Sequence, residues 1–180
     1  KQYASDMRTL PRLAQQTLER SDDLRALATS FFHGHKDAFY LGRQINFGLA
    51  MEGALKLKEI SYVHAEGYAA GELKHGPLAL LEPGMPVVAM LPKNDSTYRV
   101  MVSNIGEVRA RGAKVLAIAS EGDASAEKHV DEVFRVPEAD PLFYPVPACI
   151  ALYLLAYHAA LERGCSIDKP RNLAKSVTVE

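Results

Sequence analysis

Apolar residues recur along this chain at two different spacings, and the alternation between them is the first structural signal. Within residues 1–30, Leu10, Leu13, Ala14 and Leu18, then Leu24 and Leu27, fall at helical intervals with polar residues between them, the pattern of one or two amphipathic helices. These are expected to form a connector or packing arm ahead of the main fold. The short apolar run Asp37–Gly42 then ends in glycine and is followed by a helical pattern from about Asn46 to Val63, so it reads as strand, turn and helix. The succession repeats. Pro86–Leu91 is a buried strand, and Ser96–Arg111 a helix capped by Ser96 and stopped at Gly112, residue types suited to those two positions. Lys114–Ala119 and Glu132–Val136 supply further strands, and Pro145–Glu162 a helix with prolines in its first turn, where a missing N–H costs nothing. Strands alternating with helices predict an α/β fold whose parallel sheet is covered on both faces. Ligands of such sheets bind at the carboxyl ends of the strands. No internal repeat or low-complexity tract interrupts the pattern.

Composition narrows the class. The 180 residues are enough for one domain with a full core, and 48% hydrophobic with 24% charged residues is the balance of a soluble globular protein. With a net charge of −1 there is no electrostatic footprint for nucleic acid or for an anionic membrane. The apolar run 146–160 is about 15 residues long and contains His158, short of the roughly 20 needed to span a bilayer. Cys149 and Cys165 lack metal-ligand spacing, which fits free thiols in a reducing compartment. No signal peptide is expected ahead of the fold. The chain begins with Lys rather than Met, as expected of a processed product or an excised piece.

Two segments carry the candidate chemistry. In Met51–Pro77, Glu52, Lys56 and Glu59 are spaced by four and three, so their side chains share one helix face while Lys58 points elsewhere. Spacing alone fits an exposed salt-bridge ladder as well as a catalytic base, Glu59, whose charge environment Lys56 sets. His75 stands before Gly76-Pro77, an irregular backbone from which an imidazole can reach a ligand, although a solvated loop histidine has the same signature. His64 and Glu66 lack the pairing of a zinc helix. The second segment is the end of the chain from Pro170 to Glu180. By composition it is a mobile tail, yet it holds Arg171, able to bind an anion or to pin the tail to the domain, and Lys175. A lysine there is ordinarily solvated; buried, it loses its charge more readily and can attack a carbonyl. There is no Walker motif and no Gly-x-Gly-x-x-Gly fingerprint. The turn 42–46 is a poor phosphate cradle, and Lys93–Ser96, leading into a helix, is a better one weakened by Asp95.

The segments MEGALKLKEISYVHAEGYAAGELKHGPLALL and DKPRNLAKSVTVE closely resemble the isomerase part of the glutamine:fructose-6-phosphate aminotransferases, the glucosamine-6-phosphate synthases, and the likeness spans nearly the whole chain. That family joins a glutaminase domain to two sugar isomerase (SIS) domains and a catalytic tail. The resemblance implies a three-layer αβα sandwich with a flavodoxin-like sheet, divided into a helical connector at 1–28, the second SIS domain at 29–169 and the tail at 170–180. It implies that Glu59 moves a proton between C1 and C2 of the sugar with the help of Lys56. It also implies that His75 opens the fructose ring in the site of a neighbouring subunit of a homodimer. Lys175 is then the Schiff-base lysine, and Ala174 contacts the sugar through its backbone. The implied ligands are fructose 6-phosphate and glucosamine 6-phosphate, and the implied partners are the first SIS domain and the glutaminase, in the cytoplasm, without cofactor or metal. Two departures limit the expectation. The Ser/Thr-rich phosphate loop of the first SIS domain and the glutaminase nucleophile are both missing, so the chain alone is expected to be inactive or very weak. A SIS module that only senses sugar phosphates, or one that only dimerises, is the alternative, but neither needs Glu59, His75 and Lys175 together.

Overall fold

The computed structural model describes residues 2–173. Five strands, β1 (Asp37–Gly42), β2 (His64–Ala69), β3 (Pro86–Leu91), β4 (Lys114–Ser120) and β5 (Glu132–Val136), form one sheet in the order β2-β1-β3-β4-β5. Every pairing is parallel, with Val88 of β3 beside Tyr40 of β1 and Leu116 of β4. This is the doubly wound order of flavodoxin-like sheets, with its switch point between β1 and β3.

The unbroken apolar runs of the inner strands follow from burial on both faces. Alternate residues Ala38, Tyr40, Val88, Met90, Leu116, Ile118, Phe134 and Val136 point into one core, and Phe39, Leu41, Val87, Ala89, Leu91, Val115, Ala117 and Ala119 into the other, as the two-residue period of a strand requires. The first core is closed by α2 (Ser21–Phe32), α3 (Ile45–Ser61) and α5 (Pro145–Glu162), and the second by α4 (Tyr98–Arg109) with a short 3-10 helix, Ala70–His75. Helix α1 (Gln2–Leu18) lies against α5. The position expected to end the connector, residue 28, falls inside α2, which contributes Leu24, Ala28, Phe31 and Phe32 to the main core. At the joint between α1 and α2, the Arg20 guanidinium lies 4.6 Å from the Phe134 ring centre and donates to the Arg135 carbonyl of β5. By length and composition α5 could cross a membrane, but half of it is buried inside the domain.

Two expectations change. The helix 98–109 is shorter than the pattern suggested, and Ser96 is not its cap: the Asp95 carboxylate accepts from both the amide and the hydroxyl of Thr97, at 2.6 and 2.5 Å, and the helix starts one residue later. The strand β2 was not expected at all. It is an edge strand in which only Ala65 is buried, so it shows little of the apolar pattern by which strands are read. Gly67 lets it lie backbone to backbone on α3, since a methyl group there would come within 2.6 Å of the Met51 Cα.

Candidate active site

Helix α3 carries the site. Its inner face, Leu49, Ala50, Gly53, Ala54 and Leu57, is buried against the sheet and α5. The helix stops where Tyr62 turns left-handed at φ 61°, and its last carbonyl, that of Ser61, accepts from the Arg163 guanidinium at 2.9 Å. Arg163 also donates to the His35 carbonyl at 3.1 Å, so a cation satisfies the negative end of the helix dipole. The outer face presents Glu52, Lys56 and Glu59, as their spacing predicts.

The Lys56 ammonium donates to Glu59 Oε2 at 2.7 Å, with the two side chains 32% and 31% exposed. Glu59 holds Lys56 above the usual lysine range, against the opposing effect of burial, so the lysine is a cation at neutral pH. Glu52, one turn before Lys56, accepts from the Tyr153 hydroxyl of α5 at 2.6 Å. Burial pushes the neighbouring Cys149 thiol up. Tyr153 was not singled out from the sequence, where nothing local distinguishes it from Tyr157 in the same helix. Beside this cluster runs a groove of about 390 Å³ lined by Leu18, Ile60, Ile150, Tyr153, Leu154 and Tyr157, with Lys56 at its wall. A carboxylate hydrogen-bonded to a lysine can take up and return a proton, and an apolar surround strengthens such an interaction.

The other expected residues lie elsewhere. His75 ends the 3-10 helix that follows the carboxyl end of β2, with its side chain 63% exposed and Nε2 3.9 Å from Glu72 Oε2. Helix α3 runs back against the strands, so Glu59 sits near the amino end of β2; a six-residue strand is roughly 20 Å long. One copy of the chain therefore does not bring His75 to Glu59. Ala174 and Lys175 lie outside the described residues. Arg171 is described: its guanidinium lies 4.1 Å above the Tyr62 ring and its amide donates to the Tyr62 hydroxyl at 2.9 Å.

At the carboxyl ends of β1 and β3, the expected crevice, the turn after β1 is tightly packed. A methyl group on Gly42 would lie 1.9 Å from the Asn46 carbonyl oxygen, and Arg43 donates to Asn104 Oδ1 at 2.8 Å. Lys93 is paired with Glu138 at 3.2 Å and Asp95 is engaged by Thr97, and their turn lines a cavity of about 350 Å³ with Tyr98, Asp123 and Ser125. His64 contacts Asp37 at 3.0 Å, and among the described residues no group of three or more His, Cys, Asp or Glu is arranged to hold a metal ion.

The profile of the SIS domain family matches residues 31–163, and the chain belongs to that family. Within it, the chain is 54% identical over its whole length to the glutamine–fructose-6-phosphate aminotransferase (isomerizing) of Methanosarcina acetivorans and 55% identical over 98% of its length to that of Clostridium acetobutylicum. It spans 29% of the length of each of these relatives. Among solved structures, it superposes on the C-terminal domain of the glucosamine-fructose-6-phosphate aminotransferase of Francisella tularensis with a TM-score of 0.85 and 35% identity, covering 93% of this chain and 47% of that one.

Proposed function

We propose that this chain supplies half of the isomerase centre of a glutamine:fructose-6-phosphate aminotransferase, the enzyme that makes glucosamine 6-phosphate. The observation that carries the reading is the Lys56–Glu59 pair, joined at 2.7 Å and facing outward beside an apolar groove. Lys175 attacks C2 of open-chain fructose 6-phosphate and loses water to give an iminium, which acidifies the protons on C1. Ammonia adds at C2 and expels Lys175. Glu59 then takes a proton from C1 and returns it to C2, leaving an aldehyde at C1 and the amine at C2. The Lys56 cation, 2.7 Å from Oε2, faces the charge that the carboxylate carries before it takes the proton and after it returns it. His75 opens the ring in the site of a second copy, and the Ala174 backbone contacts the sugar. The separation of His75 from Glu59 along β2 supports that exchange between subunits of a homodimer.

The scheme uses side chains and ammonia alone, with no cofactor and no metal. It calls for the first SIS domain to bind the phosphate and for a glutaminase domain to release ammonia, all in the cytoplasm. The closed turn at Gly42–Asn46 supports a phosphate site on another domain, and the chain alone is then inactive or very weak.

Borohydride added to the intact enzyme during turnover of fructose 6-phosphate tests the reading. The expected result is a reduced sugar adduct on Lys175, found by peptide mass spectrometry and lost in Lys175→Arg. An intact, folded enzyme that turns over without any adduct at Lys175 sinks the Schiff-base scheme. A protein that binds the sugar phosphate without turnover is instead the sensing module.

A further inference from the structure

One ammonium faces two carboxylates on the outer side of α3. Lys56 stands four residues after Glu52 and three before Glu59, and both spacings bring side chains together on a helix. A glutamate that precedes its lysine by four is the better placed of the two, because that order agrees with the helix dipole. Local preference therefore assigns Lys56 to Glu52. The structure shows the reverse: the ion pair of Lys56 is with Glu59 Oε2, at 2.7 Å, and Glu52 acts on the ammonium only through space.

The choice is made by another helix. Tyr153 of α5 donates to Glu52 Oε1 at 2.6 Å and so draws that carboxylate toward α5. Glu52 first, then Cys149 and burial, hold the phenol above its ordinary range, so it keeps its proton and stays a donor around neutral pH. A hydrogen bond to a charged acceptor stabilises several times more than an exposed pair between side chains of one helix. In the contest for Glu52, the tyrosine prevails over the lysine.

We propose that Tyr153 is a positioning residue of the isomerase centre: by holding Glu52 from α5 it leaves the Lys56 ammonium to Glu59. The proposal rests on the reading of Glu59 as the group that moves the sugar proton, and it deepens that reading by naming what keeps the pair together. Without the hydroxyl, the two carboxylates compete on the terms of the helix alone. The advantage of the i, i+4 order is about twofold in population, which leaves Lys56 on Glu59 about one third of the time. Tyr153→Phe tests this cleanly, since the ring that lines the groove stays and the lost oxygen belongs to a side chain 43% exposed.

Two measurements decide the matter. In the chain, the scalar coupling across the hydrogen bond from the Lys56 ammonium nitrogen to a glutamate carboxyl carbon, read by NMR, reports which carboxylate holds the lysine without reference to activity. It is expected at Glu59 in the wild type, and in Tyr153→Phe it is expected to fall about threefold there and to appear at Glu52. Adding Glu52→Gln to Tyr153→Phe should return it to Glu59. In the intact enzyme, Tyr153→Phe is expected to lower kcat about threefold with the KM for fructose 6-phosphate unchanged, the mark of a group that serves the chemical step. A coupling to Glu59 that is the same in wild type and Tyr153→Phe overturns the proposal, whatever happens to the melting temperature. A coupling that moves while kcat holds, in an enzyme that Glu59→Gln inactivates, also overturns it, because the steering then serves no step. If Glu59→Gln itself turns over normally, the proton-transfer reading fails instead, and the steering of Lys56 by Tyr153 stands or falls on the coupling alone.

Discussion

Glu59→Gln separates a structural ion pair from a catalytic one, because the two roles predict effects of very different size. The Lys56–Glu59 contact is short, 2.7 Å, but both side chains are about a third exposed. Solvent screening and the entropy of holding two long side chains limit such a pair to about 1 kcal/mol or less. For a domain of this length about 1 kcal/mol moves the melting temperature by roughly 2–4 °C, so the variant should melt no more than about 4 °C below wild type. The glutamine keeps an oxygen for Lys56 to donate to but cannot carry a proton between carbons. Turnover in the intact enzyme should therefore fall by about 10²–10⁴, the usual contribution of a general base. The pH dependence has a definite sign. Lys56 is held above its unfolded value chiefly by Glu59, so the pair's share of stability is complete below about pH 10 and is lost as pH rises through the raised value. Thermal melts of the chain and initial rates of the intact enzyme decide the matter. A fall of more than about 8 °C accompanied by an equal loss of activity would make Glu59 a structural residue, and turnover within threefold of wild type would refute its role in proton transfer.

Three other outcomes follow from geometry outside the pair. His158 is 7% exposed between α5 and α2, with Nε2 2.8 Å from the Ser21 hydroxyl and no partner at Nδ1 among the described residues; burial and Arg25 lower its pKa, with Ser21 and Asp22 pulling the other way. The unfolded chain takes up that proton first, so stability falls as pH drops below about 6.5. His158→Gln should flatten the melting curve between pH 5 and 7, and an identical slope in the two proteins would count against it. Gly67→Ala drives a methyl group to 2.6 Å from the backbone of α3 and should cost about 1–3 kcal/mol, a drop of several degrees that calorimetry would show; unchanged melting would mean that β2 and α3 part easily. Arg163→Ala frees the Ser61 and His35 carbonyls and should cost about 1–2 kcal/mol in urea unfolding, with Arg163→Lys recovering part of it; equal losses in both variants would show that the guanidinium geometry, rather than the charge, is what the helix end needs.

How much of this was legible in the sequence depended on burial. Strands β1, β3 and β4 announce themselves because parallel strands covered on both faces must be apolar at nearly every position, the edge strand β5 does so by Val133, Phe134 and Val136, and α5 by its length. The edge strand β2 could not be read in the same way: His64 is exposed, Glu66 is only half-buried, Tyr68 alone packs on Phe39, and Gly67 is there for contact with α3 rather than for propensity. The cap position was misplaced by one residue, Ser96 for Thr97, because Asp, Ser and Thr are all plausible there and only the backbone chooses among them. Helical spacing found Glu52, Lys56 and Glu59, but it could not say whether the face was a solvated ladder; the Tyr153 hydroxyl on Glu52 comes from a helix about a hundred residues away, and no local pattern contains it. The same holds for Tyr62 and Arg171, whose contact depends on the tail returning to the end of α3.

Lys56 and Glu59 lie away from the place where this fold ordinarily binds its ligand, and on the proposed reading that placement calls for other parts of a longer protein. A doubly wound sheet ordinarily binds its ligand where the strand order reverses, at the carboxyl ends of β1 and β3. Here Gly42 turns so tightly that not even a methyl group fits, Arg43 is spent on Asn104, and Lys93 on Glu138. Lys56 and Glu59 instead stand on the outer face of α3, toward the opposite end of the sheet. The outside of a helix is convex, and a convex surface cannot exclude water from a reacting sugar or hold it at two points. An opposing wall is required, and the apolar groove beside Lys56 is a surface that such a wall would cover. On the proposed reading the first SIS domain supplies that wall and the phosphate site, and a second copy lends His75. The fold then acts as a frame that presents one helix face to its neighbours. Adding the first SIS domain in trans should therefore restore adduct formation at Lys175 to a chain that has none alone, and failure of that addition with both parts folded would mean that the catalytic face of α3 is completed by something else.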